Sequence, residues 1–307
     1  MNSTIAIVVT YNRLELLKEG VEALLQQTRS CDILIVDNAS TDETPLWATQ
    51  YALDHPSVFY ENTGSNLGGA GGFNYGMRHG VEMGYDYIWI MDDDAIADPE
   101  ALAKLQEAGE KLPSYGFLAS VVYWTDKSLC EMNRQRTPSH YLVKEDVDKA
   151  IKEKQLIPIE TATFVSLLIP RETILKVGLP IKEFFIWSDD VEYTVRITIT
   201  HKMPAYIVPC SSITHKTKNN AGSDIVHDDA ERIDRYRYAV RNGFYAYRRY
   251  GAKHFCAYLF NLLKSWVLIW FCSTDHKAKR SRVIISSFFK GITFHPSIEY
   301  INNEDRN

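Results

Sequence analysis

The sequence predicts an α/β fold built on a mainly parallel central sheet, and three observations lead there. Four short runs rich in β-branched and aromatic residues, at 5–10, 32–37, 58–61 and 85–91, alternate with segments of helical periodicity, the pattern of repeated βα units. Turn formers crowd a run end in Asn38-Ala39-Ser40-Thr41-Asp42. Three consecutive aspartates, Asp92-Asp93-Asp94, directly follow the fourth run, at the strand end where open sheets of this kind bind ligands.

Each element has a local reason. Ile5-Ala6-Ile7-Val8-Val9 has the composition of a buried strand. Leu14, Leu17, Val21 and Leu24 recur at helical spacing, which predicts a helix over 14–27. Pro45 suits the start of the next helix, after the strand at 32–37. A glycine-rich stretch at 64–72 opens a helix that runs to about Met83. Residues 126–160 are polar, charged and poorly periodic, and read as an excursion over the surface. A strand is expected at 161–169, a helix at 191–201, a strand at 205–208 and a polar segment at 211–218. A long helix dense in Arg and Tyr is expected at 228–250.

Composition narrows the class of function. At 45% hydrophobic and 24% charged, the 307 residues can bury a full core. A net charge of −5 supplies no basic field, so no nucleic-acid partner is expected. The five cysteines are dispersed and form no CxxC pair, which argues against a zinc knuckle or a disulfide framework and for a reducing cytoplasm. Met1-Asn2-Ser3-Thr4 offers no basic region ahead of the first strand, so no secretory signal is expected. The longest apolar stretch, 257–272, is interrupted by Asn261, Lys264 and Ser265. It is shorter than the ~20 apolar residues of a spanning helix and is not expected to cross a membrane.

The aspartate triplet is the first candidate for chemistry. Like charges in a row need a counter-charge, and a divalent cation on hard oxygen ligands supplies one while also binding phosphate. A solvated acidic turn, with Asp98 capping a helix that starts near Pro99, accounts for the same residues. A cation on Asp92 and Asp94 needs a further ligand, and His215 is the candidate; His201 and His227 sit where a helix end and a helix cap are expected. At the first two strand tips, Tyr11 and Asp37 could bind a planar base such as uracil by stacking and by accepting an imide N–H. Packing by Tyr11 and turn-capping by Asp37 is the alternative. The segment Asn66-Leu67-Gly68-Gly69-Ala70-Gly71-Gly72-Phe73 lets backbone approach a ligand, but it is neither a dinucleotide fingerprint, which fails at Asn74, nor a Walker A loop. The second acidic cluster, Trp187-Ser188-Asp189-Asp190-Val191-Glu192, can supply a general base, and one acid can cap a helix while another works.

Together, Val-Val-Thr-Tyr-Asn-Arg from Val8, Ile-Val-Asp-Asn-Ala-Ser-Thr-Asp from Ile35 and the aspartate triplet resemble family 2 glycosyltransferases of the GT-A fold. Asn-Leu-Gly-Gly-Ala-Gly-Gly-Phe and Trp-Ser-Asp-Asp-Val-Glu-Tyr further resemble galactofuranosyltransferases, with Ser188 as an insertion into their Trp-Asp-Asp-x-Glu-Tyr motif. Rhamnosyltransferases of the family share the opening motifs.

The resemblance implies a Rossmann-like, nucleotide-sugar-binding GT-A domain over residues 1–222, with a helical region over 223–307. It implies inverting transfer of galactofuranose from UDP-galactofuranose to a glycan or glycolipid acceptor, with dTDP-rhamnose as the alternative donor. A non-catalytic nucleotide-sugar or glycan-binding protein is the reading from another class. Thr10, Tyr11, Asn12, Asp37, Asn66, Gly68, Gly69, Asp93 and Asp189 would bind nucleotide and donor, and Trp187 and Glu192 the acceptor. Asp92, Asp94 and His215 would hold Mn²⁺ or Mg²⁺, and Asp190 would be the catalytic base.

From Arg248 onward, basic residues (Arg248, Arg249, Lys253, Lys264, Lys277, Lys279, Arg280 and Arg282) flank apolar faces. That pattern suits peripheral binding to the inner face of a bacterial cytoplasmic membrane. Packing against the catalytic domain, or a homo-oligomer contact, is the alternative.

Overall fold

The computed structural model describes residues 3–301. Nine strands form one mixed sheet in the order β3-β2-β1-β4-β8-β6-β9-β5, with β7 pairing β9. The four parallel strands β1 (Thr4–Thr10), β2 (Asp32–Asp37), β3 (Val58–Asn62) and β4 (Tyr87–Asp92) are those read from the sequence. Their register sets Thr10 beside Asp37 and Val9 beside Asp92, so the tips share one edge. The helices α1 (Leu14–Leu25), α2 (Thr44–Asp54) and α3 (Gly68–Glu82) connect them.

The second half of the sheet departs from expectation. β6 (Phe117–Tyr123) pairs in parallel with β9 (Ala205–His215), and β8 (Leu167–Pro170) lies antiparallel between β4 and β6. The strand expected at 161–169 is therefore confined to its end. The strand expected at 205–208 instead runs on to His215, through the segment read as polar loop. β9 does so by shifting register against β6 after Ser120, so that its polar tail stays paired. The short strand β5 (Ala95–Ala97) binds that tail, with Ala95 opposite His215. The triplet is thus a bend between β4 and β5, and α4 (Ala101–Gly109) starts only later. Asp98 does not cap α4 with its side chain; its carboxylate accepts from the Ser212 hydroxyl.

The excursion at 126–160 is structured. It holds a 3-10 turn at Glu131–Asn133, helix α5 (Lys144–Glu153) and strand β7 (Ile157–Pro158), with Leu142 and Val147 buried. α6 (Arg171–Val177) follows β8. α7 (Asp189–Val195) begins at the second acidic cluster and continues as a π turn over Arg196–Thr200. The helix expected at 228–250 opens as a 3-10 turn, Ala230–Arg235, and becomes α8 (Tyr236–Tyr250).

The last two helices are α9 (Ala252–Cys272) and α10 (Lys277–Thr293). The apolar stretch judged too short for a membrane lies within α9, which starts earlier and reaches 21 residues, long and apolar enough to cross by length and composition. Ile269 is its one buried residue, and Phe271 is 81% exposed. Arg280, counted among the surface cations, is instead buried, donating to the carbonyls of Ile225 and Asp228.

Glycines at four-residue spacing let α3 lie directly on the sheet. A Cβ on Gly72 would meet Val9 Cγ1 at 2.5 Å, one on Gly76 would meet Ile7 Cγ2 at 2.3 Å, and one on Gly80 would meet Ile88 Cδ1 at 2.7 Å. Part of the glycine-rich signal is therefore packing. Gly76→Val should destabilise the fold by ~2 kcal/mol through overpacking; an unchanged urea midpoint would refute this account of the helix–sheet contact.

Candidate active site

The crevice at the carboxyl ends of β1, β2 and β4 collects most of the residues singled out in the sequence. Asp92 ends β4 with its side chain 41% exposed, while Asp93 and Asp94 are buried. β9 brings in His215, whose Nε2 lies 2.7 Å from Asp94 Oδ1 and 4.0 Å from Asp92 Oδ2. One ligand atom from each of the three lies within 4.8 Å of the others. Asn133 fixes the ring. Its Nδ2 donates to Thr163 Oγ1, which turns its Oδ1 toward His215 Nδ1 at 2.6 Å. Nδ1 thus keeps its proton for Asn133, and Nε2, which here donates to Asp94 Oδ1, is the nitrogen that would offer its lone pair to a cation on losing its proton. Two carboxylates and an imidazole so arranged fit a divalent cation such as Mn²⁺.

Electrostatics agree with that fit. Partial desolvation by the surrounding protein, and then the charge of Asp94, raise Asp92 above the usual carboxylate range even though His215 opposes. Burial also raises Asp93, to about 6, against the pull of Arg13. Burial would depress His215, but its hydrogen bonds with Asp94 and Cys130 and the charges of Asp94 and Asp92 carry it up to about 10. Burial likewise works against ionisation of Asp94, yet hydrogen bonding and charge from His215 hold it below the usual carboxylate range. The group as a whole is short of positive charge.

Arg13 supplies part of it and was not given a role from the sequence. Its Nη1 donates to Asp94 Oδ2 at 2.8 Å and to Asp93 Oδ1 at 3.2 Å. Its position immediately after Thr10-Tyr11-Asn12, at a strand tip facing an acid triplet, was the available clue. Thr10 Oγ1 donates to Asp93 Oδ2 at 2.8 Å, so Thr10 orients an acid rather than facing the crevice.

Asp37 differs from expectation. It is 0% exposed, and its carboxylate accepts from Ser40 N, Tyr60 OH and Asn62 Nδ2. It organises the loop after β2 from beneath, leaving no open oxygen for a base. Asn12 ties that loop to the first: its Oδ1 accepts from Thr41 N at 2.7 Å, with Asn12 at φ 54°. Tyr11 remains 41% exposed, its ring open to the crevice.

The glycine segment divides in two. Gly68, at φ +70°, packs under Phe185, whose carbonyl oxygen would lie 2.0 Å from an added Cβ. Gly69 faces open space, and Asn66 is exposed while capping Gly68 N.

The second acidic cluster sits on a strained loop. Phe185, Trp187 and Ser188 all have φ near +65°, costly for residues with side chains. Asn242 of α8, 0% exposed, holds the loop: its Nδ2 donates to the carbonyls of Phe184 at 2.8 Å, Ile186 at 3.0 Å and Trp187 at 2.9 Å. Sequence gave no sign of this residue, because its partners lie more than fifty positions away in the chain. The same loop touches the glycine segment, Ala70 N donating to Phe185 O at 3.2 Å. Trp187 leans on Tyr236, with ring centroids 5.0 Å apart.

α7 begins at once after this loop. Burial and the adjacent Asp190 push Asp189 well above the usual carboxylate range, and the charge of Asp92 adds to the rise. Asp189 therefore lies within electrostatic reach of Asp92. Asp190 is raised by burial to about 6, although Val191 N donates to its Oδ1 at 2.7 Å. Glu192 departs from its expected place at the acceptor. It is buried in a two-pronged ion pair with Arg196, Nη2 to Oε2 at 2.6 Å and Nε to Oε1 at 3.2 Å. Arg196 in turn donates to the carbonyls of Val177 and Leu179, so Glu192 anchors α7.

With that geometry in place, likeness to known proteins becomes informative. The sequence profile of glycosyl transferase family 2 matches residues 5–168, and the chain belongs to that family. It is a glycosyltransferase of GT-A fold. Galactofuranosyltransferase GlfT1 of Mycobacterium tuberculosis is 30% identical over 220 residues, covering 68% of this chain and 71% of that one. N-acetylglucosaminyl-diphospho-decaprenol L-rhamnosyltransferase of the same organism is 26% identical over 241 residues, covering 71% and 77%. A Pyrobaculum calidifontis mannosyltransferase solved with GDP-Man and Mn²⁺ shares the fold, with TM-score 0.60 and 17% identity over 95% of this chain and 86% of its own.

Asn242→Asp keeps the side-chain size but turns a donor into an acceptor facing three carbonyls. It should lower kcat by about tenfold or more while nucleotide binding stays near wild type. Wild-type kcat in the folded variant would remove Asn242 from the catalytic arrangement.

Proposed function

We propose that this glycosyltransferase moves galactofuranose from UDP-galactofuranose, with inversion, to a hydroxyl of a lipid-linked bacterial cell-surface glycan precursor. The observation that carries the reading is the Asp92–Asp94–His215 trio, its ligand atoms within 4.8 Å of one another, with Asp189 within electrostatic reach of Asp92. The likeness to GlfT1 supports the furanose donor. The likeness to a rhamnosyltransferase makes dTDP-rhamnose the second candidate.

The roles follow from the side chains. Tyr11 offers its open face to the base. Gly69 and Asn66 border the donor, and Asp189 faces its sugar. Asp92, Asp94 and His215 hold Mn²⁺ or Mg²⁺, which when bound offsets the charge of the departing diphosphate. Arg13 steadies Asp93 and Asp94 in that grouping. Asp190 accepts the acceptor hydroxyl's proton as that oxygen attacks the anomeric carbon, and a carboxylate raised toward neutrality suits this task. Trp187 lies beside the acceptor.

The deciding experiment measures nucleoside diphosphate release from UDP-galactofuranose, dTDP-rhamnose and UDP-galactopyranose with an alkyl glycoside acceptor, with Mn²⁺ and with EDTA. Metal-dependent turnover of the furanose donor alone is expected; turnover of dTDP-rhamnose alone would overturn the donor assignment. With Asp190 near 6 and active when deprotonated, kcat should rise as pH increases through about 6 and then level off. Asp190→Asn should cost about 10²–10⁴-fold in kcat, and a variant that retained the wild-type rate and pH profile would show that the base lies elsewhere.

The C-terminal helices suit a membrane-bound acceptor. α9 presents Phe260, Leu263, Trp270 and Phe271 to solvent beside exposed Lys253 and Lys264, and α10 adds Arg282 and Lys290. We assign this face to peripheral contact with the cytoplasmic membrane. The protein should float with vesicles containing anionic phospholipid, and Phe260→Ser/Phe271→Ser should float less; a stable dimer abolished by those changes, without flotation, would make the face an oligomer contact instead.

A further inference from the structure

The excursion at 126–160 and the C-terminal helices meet near Asp190, and their side chains there are unexplained by donor or metal chemistry. Tyr247 of α8 is half-buried, and its phenol has no hydrogen-bond partner among the described residues. Burial raises it to about 12, followed by Tyr141 and by Asp190, while Arg136 opposes, so all three lie within electrostatic reach of one phenol. Tyr141 and Arg136 belong to the excursion, paired across a short antiparallel bridge. Arg136 Cζ stands 5.3 Å over the Tyr141 ring.

This arrangement is held from two sides. Tyr258 of α9 stacks on Tyr247, with centroids 5.1 Å apart and planes 13° from parallel. Tyr258 fits there because Gly243 has no side chain: a Cβ would meet its ring at 2.8 Å. Its hydroxyl donates to Val240 O at 2.7 Å, which fixes the ring against α8. On the excursion side, Tyr250 OH donates to Glu160 Oε2 at 2.5 Å, and Glu160 Oε2 lies 3.8 Å from Arg136 Nε. The excursion is thereby docked on α8 by a polar contact.

We infer that Tyr247, with Tyr141 and Arg136 across from it, forms the subsite for the acceptor sugar whose hydroxyl Asp190 activates. The chemistry matches a glycoside. Aromatic faces pack against the apolar C–H patches of a sugar ring, while the unpaired Tyr247 phenol, the exposed Tyr141 and the guanidinium offer hydrogen bonds to its hydroxyls. The excursion is one wall of this subsite and α8 the other, so acceptor choice is made by parts of the chain beyond the strand tips that hold the nucleotide. The inference rests on the assignment of Asp190 as base but is independent of which donor sugar is used.

The test is equilibrium binding of octyl β-galactofuranoside to the full-length protein saturated with UDP and Mg²⁺, followed by saturation-transfer NMR. Tyr247→Ala should weaken the glycoside about tenfold, and Tyr141→Ala should weaken it as well, with UDP affinity unchanged in both. Tyr247→Phe, which keeps the ring and the fold, should lose less, on the order of threefold for one hydrogen bond. Substitution of the remote, exposed Leu53 to Ala should do nothing. Wild-type glycoside affinity in Tyr247→Ala, no measurable binding by the wild type, or an equal loss of UDP binding would each overturn the subsite. The donor assay described above judges the galactofuranose assignment separately, because this measurement contains no donor sugar.

Discussion

Repulsion among carboxylates governs this molecule. Asp93 and Asp94 turn inward at a strand end beside the more exposed Asp92, and Asp189 is close enough to feel Asp92. Buried like charges are tolerable only where cations or hydrogen-bond donors face them. Each feature around the crevice answers that demand: Arg13 bridges two of the acids, Thr10 donates to one, and β9 overruns its expected end to deliver His215. The residual shortage of positive charge is what fits the site to a divalent cation.

The same crevice depends on a loop that would not hold its shape alone. The three positive φ angles at 185, 187 and 188 aim the second acidic cluster at the first, and that strain is offset by the carboxamide of Asn242 and the guanidinium of Arg241, which donates to Glu183 O at 2.6 Å. Phe185 also rests over Gly68. One loop therefore joins the glycine segment, the second acidic cluster and α8, so the C-terminal helices help to fix the shape of the crevice.

The parallel half of the sheet was legible because each strand there is a run of apolar residues with turn formers at its end, a signal carried within a few residues. The triplet and Asp189-Asp190 were legible for a related reason: adjacent acids are conspicuous wherever they lie. The second half was not. β9 reads as polar beyond Val208 because Ser211 and Ser212 sit among its paired residues, Ser211 bonding inward to Ser120 and to Ala101 O. The excursion hides its core contacts because Asn133 and Gln135 are buried polar residues satisfied by distant partners.

The sequence by itself determined the strand-tip chemistry and the membership in a nucleotide-sugar-using family, since both are written in contiguous motifs. Tertiary structure decided which of those motif residues face a ligand. It placed Asp37 and Glu192 in the interior, each saturated by partners, and left Tyr11, Asp92 and Gly69 open. It also recruited Arg13, Asn133 and Asn242, whose roles depend on pairings dozens of residues apart. The physical reason is that a side chain's task is set by whether its polar atoms are already satisfied, and that is a property of the folded neighbourhood, to which the residue type contributes only the donors and acceptors.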